Sequence, residues 1–220
     1  MIIVVGVPAW RAAEPVGPAG RACEIAVAAA GRAARVELVG RTGDDAAGDS
    51  LLLALSRSGV GHAAMLRDPA RATPVVASGP SDDEAPFPVD GDGTGSPVPS
   101  APASVPAPRL EPADVSLGLE YLTGYGVLVV TDDVPESVVA VAAEAAAFAG
   151  AHLVLLVPPG REAPASLPAE ATVLAAPDDA DEGAFAMLVG EYAAALDAGI
   201  SPAAAFAAAT GDAGWEPLEV

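Results

Sequence analysis

The stretch PAGRACEIAVAAAGRAARVELVGRTGDDAAGDSLLLALSRSG, residues 18–59, decides the fold class. A glycine turn at Gly20 precedes a run of small residues that predicts a helix over Arg21–Ala30. The apolar run Val36–Val39 is typical of a buried strand. A Gly-Asp-Asp turn follows, and its acidic residues favour a second helix over Asp45–Arg57. This order of helix, strand, turn and helix indicates an α/β protein.

The same alternation continues through the rest of the chain. Short apolar runs predict strands near residues 2–5, 63–66, 73–77, 127–131, 153–157 and 172–174. Residues 110–115 are typical of a helix start with Pro in the first turn, and further helices are predicted over residues 135–149, 182–198 and 202–210. Strands that alternate with helices form right-handed βαβ units with parallel strands. We therefore predict a three-layer αβα domain around a mostly parallel sheet.

One segment breaks this pattern. Ser78–Pro108 is rich in Pro, Ser, Gly and Asp and has almost no apolar periodicity, which predicts a flexible linker. We expect a single domain over residues 1–220, interrupted by this linker at about residues 78–109.

The charge of the chain limits its partners. The formal net charge is −20, and all ten basic residues are arginine. Such a composition cannot build a basic surface that follows phosphates, so we expect no nucleic-acid partner. The acidity fits either the codon bias of a GC-rich genome, which we favour, or a saline habitat.

Membrane insertion and disulfide formation are not expected either. The apolar stretch Val138–Val157 has the length of a membrane span, but Glu144, Gly150 and His152 indicate a helix, a turn and a buried strand instead. The lone Cys23 excludes an internal disulfide and fits a reducing cytoplasm, where we expect the protein to be located.

Residues 18–49 closely resemble the N-terminal signature of the ribokinase-like (PfkB) carbohydrate kinases. That signature reads P-G-G-x-G-x-N-x-A-V-A-A-A, then a strand, then G-x-x-G-x-D-x-x-G, and the match runs through Asp49 without a gap. Later matches keep the family's order: Leu110–Val115, Val129–Pro135, Ala175–Asp181 and Gly190–Thr210. The resemblance covers most of the chain outside the linker. It implies a ribokinase-like fold whose lid and nucleotide-binding segment are reduced or missing.

The resemblance also shows where catalytic residues have changed. Active family members transfer the γ-phosphoryl group of ATP to a hydroxyl, using a G-A-G-D motif at a helix start whose Asp acts as the base. Here the corresponding segment reads Asp181-Glu182-Gly183-Ala184-Phe185, so Gly183 stands where the base belongs. Pro177 and Phe185 are also too close in sequence to hold the family's adenine and ribose segment. We therefore assign no catalytic residue.

The substrate side keeps some family positions and loses others. The resemblance places the family's strand-one Asp at Arg11 and its Asn at Glu24, while Gly20 and Arg21 keep the family's Gly-Lys/Arg pair. Asp133 keeps a carboxylate at the end of a central strand, at the edge where α/β folds bind ligands. These four residues, Gly20, Arg21, Glu24 and Asp133, are our candidate substrate-binding residues.

Plainer interpretations exist for each charged candidate, and we favour them. Glu24 would be an exposed helix residue paired with Arg21, and Asp132 or Asp133 would cap the helix starting at Pro135.

Two further carboxylates, Asp178 and Asp181, fall in the vicinity that the family uses for phosphate and metal. Asp181 or Glu182 could act as a displaced base, but we expect them to cap the last long helix instead.

Two functions from different classes follow. The first is a degenerate carbohydrate-kinase homologue without catalysis, acting as a small-molecule-binding or interaction module. The second is an active ATP-dependent sugar or nucleoside kinase of unusual architecture, which alone would require ATP and Mg²⁺. Either could bind a sugar or nucleoside, and the sequence leaves a homo-oligomer open.

Overall fold

A computed structural model describes residues 1–32, 34–76, 105–164, 167–168, 170–176 and 182–211. These described residues form nine strands: β1 (Ile2–Val5), β2 (Ala9–Arg11), β3 (Gly17–Ala19), β4 (Val36–Gly43), β5 (Val60–Asp68), β6 (Val75–Val76), β7 (Val127–Val130), β8 (His152–Val157) and β9 (Thr172–Ala175). The same residues form six helices: α1 (Arg21–Gly31), α2 (Ala46–Arg57), α3 (Pro112–Tyr121), α4 (Glu136–Ala149), α5 (Glu182–Asp197) and α6 (Pro202–Gly211).

Six strands form one sheet in the order β5-β4-β1-β7-β8-β9, and every neighbouring pair is parallel. β1 lies in the middle, with Val5 opposite Val39 of β4 on one side and Val130 of β7 on the other. The prediction of an α/β protein with a mostly parallel sheet is confirmed.

Helices cover both faces of this sheet. Side chains alternate along a strand, so Ile2 and Val4 of β1 face one apolar cluster while Ile3 and Val5 face the other. The first cluster contains residues from α1, α2, α5 and α6, and the second contains residues from α3 and α4. All four residues of β1 are fully buried, as expected for a parallel strand covered on both faces.

The helices approach one another closely because their contact residues are small. At Gly190 in α5, an added Cβ would lie 2.6 Å from Ala28 Cβ, 2.9 Å from Ala29 N and 2.9 Å from Ile25 O of α1. A side chain there would push against the α1 backbone. The alanine- and glycine-rich composition therefore stabilises the α1–α5 contact by close packing rather than by large side chains.

The Gly-Asp-Asp turn has a structural role. Asp45 is the N-cap of α2, and its carboxylate accepts hydrogen bonds from Gly48 N at 2.8 Å, Thr73 N at 2.8 Å and Thr73 Oγ1 at 2.7 Å. Gly43 cannot carry a side chain, since a Cβ would lie 2.6 Å from Thr73 N and 2.7 Å from Arg71 O. The turn therefore joins the start of α2 to residues 71–73.

The sequence missed the second sheet, which has three strands in the order β3-β2-β6. β2 and β3 have three residues each and pair antiparallel, and β6 pairs parallel with β2. The strand predicted near residues 63–66 is also longer in the structure, where it runs over Val60–Asp68. The predicted reduction of the lid and of the nucleotide segment stays a prediction.

The predicted linker falls almost wholly on residues 77–104, which lie outside the described residues. The chain is described again from Val105, and Pro106 O accepts a hydrogen bond from Ala72 N at 3.2 Å. Leu110 is buried against the α3–α4 face of the sheet. Among the described residues, none of the helices has both the length and the apolar character needed to cross a bilayer.

Candidate functional site at the carboxyl edge of the sheet

The loops that follow β1 and β7 meet at the carboxyl edge of the sheet, because the two strands are parallel neighbours. An added Cβ at Gly6 would lie 2.1 Å from Thr131 Oγ1 and 2.7 Å from Ala22 Cβ of α1. Only glycine lets these three segments approach so closely. This edge therefore brings together residues from the first forty positions and from positions 131–133, and it is the usual ligand-binding edge of α/β sheets.

Asp133 lies at this edge, held from two sides. Thr131 Oγ1 lies 2.5 Å from Asp133 Oδ1 and 3.1 Å from the Val5 carbonyl oxygen, and Val7 N donates to Asp133 Oδ1 at 3.4 Å. The sequence suggested that Asp132 or Asp133 would cap α4, but the N-cap is Pro135 and no side chain caps it. That expectation was wrong, because both carboxylates turn towards the sheet edge instead of towards α4.

The protonation of Asp133 is shifted by its surroundings. Asp133 is an exposed residue, but its carboxyl group is partly desolvated beside Thr131 and Val7, and this desolvation raises the pKa of Asp133. The hydrogen bonds from Thr131 and Val7 lower that pKa, while the neighbouring Asp132 carboxylate raises it. Asp133 is thus a carboxyl group at the sheet edge that holds its proton to a higher pH than a free aspartate does.

Arg21 starts α1 directly after Gly20. Gly20 has a φ of 81°, a left-handed conformation that favours glycine, and it is the N-cap of α1. The Arg21 guanidinium pairs with Asp132 and lies 5.8 Å from the centre of the Phe185 ring of α5. Arg21 Nε is buried and has no hydrogen-bond partner among the described residues. Arg21 thereby joins α1, the end of β7 and the start of α5.

A second ion pair lies beside the first. Arg11 of β2 donates to Glu24 Oε1 of α1 at 2.8 Å, and about a quarter or less of each side chain is exposed. The sequence suggested that Glu24 would be exposed and paired with Arg21. That expectation was wrong, because Arg21 is engaged by Asp132 and β2 brings Arg11 over Glu24.

Two cavities flank these ion pairs. One, of about 670 Å³, is lined by Arg11, Glu24, Gly183 and Met187 among others. It places the second residue of α5, Gly183, on the same cavity as the Arg11–Glu24 pair.

The other cavity, of about 410 Å³, lies above the ends of β7 and β8. Asp132, Glu136, Arg161 and Glu162 supply its charged side chains. Arg161 is exposed, and no ion pair joins it to the residues that the structure describes.

The described residues support neither a reactive cysteine nor a metal site. Cys23 is fully buried in α1, and this burial raises its pKa to about 12, so its thiol is not a reactive thiolate. In the described part of the chain, no group of three or more His, Cys, Asp or Glu side chains could hold a metal ion. Asp178 and Asp181 lie outside the described residues.

Of the predicted site residues, the structure brings Gly20, Arg21, Glu24 and Asp133 to one edge of the sheet. Sequence reasoning missed the role of Thr131 and Phe185 there. The sequence could have pointed to Thr131, because this residue directly follows the buried strand β7. No sequence feature points to Phe185, since only the packing of α5 against α1 brings its ring to Arg21.

Comparison with known proteins supports the fold. The sequence matches no protein-family model and no curated protein. Among solved structures, Arabidopsis thaliana ribokinase complexed with ribose and ATP is similar with a TM-score of 0.60, 15% identity, and coverage of 94% of this chain and 89% of that chain. A protein called Sa239 is similar with a TM-score of 0.65, 12% identity and coverage of 99% and 95%.

A third similar structure is aminoimidazole riboside kinase from Salmonella enterica, complexed with aminoimidazole riboside and an ATP analogue. Its TM-score is 0.50 at 16% identity, over 87% of this chain and 57% of that chain, so this chain spans little more than half of that enzyme. Identities this low establish shared architecture alone. The chain has a ribokinase-like fold, as its sequence pattern predicted.

Proposed function

We propose that this chain is a catalytically inactive ribokinase-like protein that binds a sugar or nucleoside at the carboxyl edge of its sheet. The observation that carries the proposal is the mutual pairing of the charged side chains at that edge. Arg21 is engaged by Asp132, and Arg11 by Glu24. Carboxylates of the protein itself therefore neutralise the two arginines that a substrate phosphate would otherwise contact.

This arrangement is poorly suited to phosphoryl transfer. That reaction depends on positioning and on positive groups that stabilise the charge on the transferred phosphoryl group. Here each of these arginines already has a carboxylate partner, and the formal net charge of the chain is −20. Gly183, which corresponds by resemblance to the family's catalytic base, has no side chain to accept a proton. These features argue against phosphoryl transfer.

The ligands of two similar structures support the proposed class of ligand. The similar Arabidopsis thaliana structure holds ribose and the Salmonella enterica structure holds a riboside. A polyhydroxylated ring suits an edge that offers guanidinium donors and carboxylate acceptors together, since hydroxyl groups both donate and accept hydrogen bonds. We place the ring between Arg21 and Asp133, in a cytoplasmic protein that needs no ATP or Mg²⁺ for this role.

The test combines turnover and binding on the same panel of sugars and nucleosides. With ATP and Mg²⁺ we expect no ADP release above background, because loss of a catalytic base alone costs about a hundred- to ten-thousand-fold in rate. Isothermal titration calorimetry should detect saturable binding of at least one panel member, weakened by Arg21→Ala. Absence of all binding would refute the proposed module.

One observation favours a second function, an active sugar or nucleoside kinase that uses ATP and Mg²⁺. Burial raises the pKa of Asp133, which is the direction that suits a general base, and this carboxyl group lies at the edge where a hydroxyl would dock. The same assay decides between the two functions. Robust ADP release that Asp133→Ala abolishes would establish the kinase, whereas release unaffected by Asp133→Ala would indicate a contaminating enzyme.

A further inference from the structure

A groove lies between α3 and α4, next to the loop Leu122–Gly126 that leads into β7. Its volume is about 740 Å³. The lining is mostly apolar side chains or alkyl stems from the middle and C-terminal turns of both helices and from this loop, with Leu119, Val141, Ala145 and Phe148 as examples. Because β7 starts beside it, the groove is at the amino edge of the sheet, away from the ion pairs described above.

Phe148 lies at the rim of the groove, and the fold does not bury its aromatic side chain. Phe148 is 96% exposed, although it is in the last turn of α4. Across α3, on the side away from Phe148, Leu117 and Tyr121 line a smaller cavity of about 240 Å³ and are also more than half exposed. Exposed apolar side chains that border a groove mark a surface that another group covers.

The groove is also negatively charged. The C-terminal ends of α3 and α4 carry partial negative charge, and neither helix has a basic residue in its last turn. Glu120 and Glu144 line the groove, are exposed, and form no ion pair with the residues that the structure describes. A group that covers this surface must therefore be apolar on one side and positively charged at its borders.

This chain cannot supply such a group itself. The stretches outside the described residues that are long enough to reach across a helix pair, residues 77–104 and 212–220, contain Asp and Glu but no Arg, Lys or His. A second copy carries the same formal net charge of −20 and no lysine. Charge repulsion therefore disfavours both the chain's own segments and a second copy of the chain as occupants of the groove.

We propose that the groove between α3 and α4 binds a basic amphipathic helix of another protein. Its apolar residues would pack on Phe148, Val141 and Leu119, and Lys or Arg on its flanks would pair with Glu120 and Glu144. Laying an amphipathic helix into an apolar groove between helices is a common mode of peptide recognition. The proposal is independent of the small-molecule site.

The probe is a fluorescein-labelled 14-residue synthetic helix of Leu and Lys at helical spacing, with a Leu and Glu helix of the same pattern as its charge-reversed counterpart. Fluorescence anisotropy should show saturable binding of the Leu and Lys helix alone. Phe148→Ser should weaken this binding about tenfold, as expected for an exposed aromatic residue that becomes buried when the helix binds. The double variant Glu120→Gln/Glu144→Gln should also weaken the binding of this helix. Its effect should be larger in low salt than in high salt.

Matched controls separate the groove from the general acidity of the chain. Leu53→Ser removes an apolar side chain of α2 that is 52% exposed, and Glu14→Gln/Glu170→Gln removes two exposed carboxylates elsewhere. Each should change the affinity less than twofold. Equal losses in the controls, binding of the Leu and Glu helix, or no saturable binding would overturn the proposal. So would self-association in sedimentation velocity that Phe148→Ser abolishes, since it would assign the groove to a second copy.

Discussion

The centre of the sheet and its carboxyl edge are stabilised in different ways. β1 is fully buried, and its side chains pack into an apolar cluster on each face of the sheet. At the edge, Arg21 and Asp132 keep 20% and 14% of their side chains exposed and form an ion pair across 111 residues of sequence. The centre depends on apolar burial that many sequences can supply, whereas the edge depends on specific pairs. A chain can therefore keep this fold while the chemistry of its edge changes.

The largest expected effect comes from the centre. Ile3 is fully buried in β1, so Ile3→Ala should lower the free energy of unfolding by about 2–5 kcal/mol through lost burial and a residual cavity. Urea denaturation with an unchanged m-value measures this loss. Leu53→Ala is the matched control, because Leu53 is half exposed on α2 and should change the free energy by about 0.5 kcal/mol or less. Similar losses in both variants would contradict a core centred on β1.

A second prediction concerns the close contact of α1 with α5. Gly190→Ala should lower the free energy of unfolding by about 1–3 kcal/mol, because its Cβ would press against backbone atoms of α1. Gly31→Ala is the control in the last turn of α1, where an added Cβ meets nothing within 4 Å. That variant should be neutral or slightly stabilising. Thermal denaturation of the pair gives the comparison, and a neutral Gly190→Ala would refute the tight packing.

The third prediction tests the edge. Arg21→Ala leaves the mostly buried Asp132 carboxylate without its cation, so the free energy of unfolding should fall by about 1–3 kcal/mol. Asp132→Ala in the same chain should recover part of that loss, because the unpaired charge is then gone.

Arg67→Ala is the control on the surface, where Arg67 pairs with Asp44 and Asp49 in solvent. It should have a much smaller effect, one that disappears in high salt. If the two arginine variants behave alike, the edge ion pair is no more than a surface pair.

The smallest expected effect is a pH dependence at the opposite edge. His152 starts β8, with Nε2 2.8 Å from Thr172 Oγ1, which is in turn 2.8 Å from Tyr192 OH. Burial lowers the pKa of His152, although Glu170 opposes this. The folded pKa then lies below the unfolded value of about 6.5, so His152 contributes most to stability above that pH. The contribution is lost as the pH falls towards the folded pKa.

The variant His152→Gln isolates this contribution. Its melting temperature should fall less than that of the parent between about pH 7 and pH 5, because glutamine does not titrate. Subtracting the two profiles removes the opposite trend expected from Asp133, whose raised pKa favours the folded state at lower pH. A parallel decline in both proteins would exclude a role for His152.

Much of the fold could be predicted because its elements carry local signals. Ile2–Val5 was predicted with the bounds that the structure has, since a short apolar run before a glycine is typical of a buried parallel strand. The helices starting at Arg21 and Glu182 also begin where predicted. β2 and β3 were missed because three-residue strands are too short to show any periodicity. Their pairing depends on the turn at residues 12–16 and on β6, far along the chain.

By itself, the sequence determined the order of the main elements and the starts of several of them, and through them the α/β class. Apolar strands and small-residue helices are buried in any α/β arrangement, so the pattern of apolar residues along the sequence is enough to predict them. Only the tertiary structure decided which charges meet. Arg21 pairs with Asp132 rather than Glu24 because the parallel pairing of β1 with β7 brings the loop after β7 to the start of α1. An ion pair has no local signature, since its partners come together only after the sheet has formed.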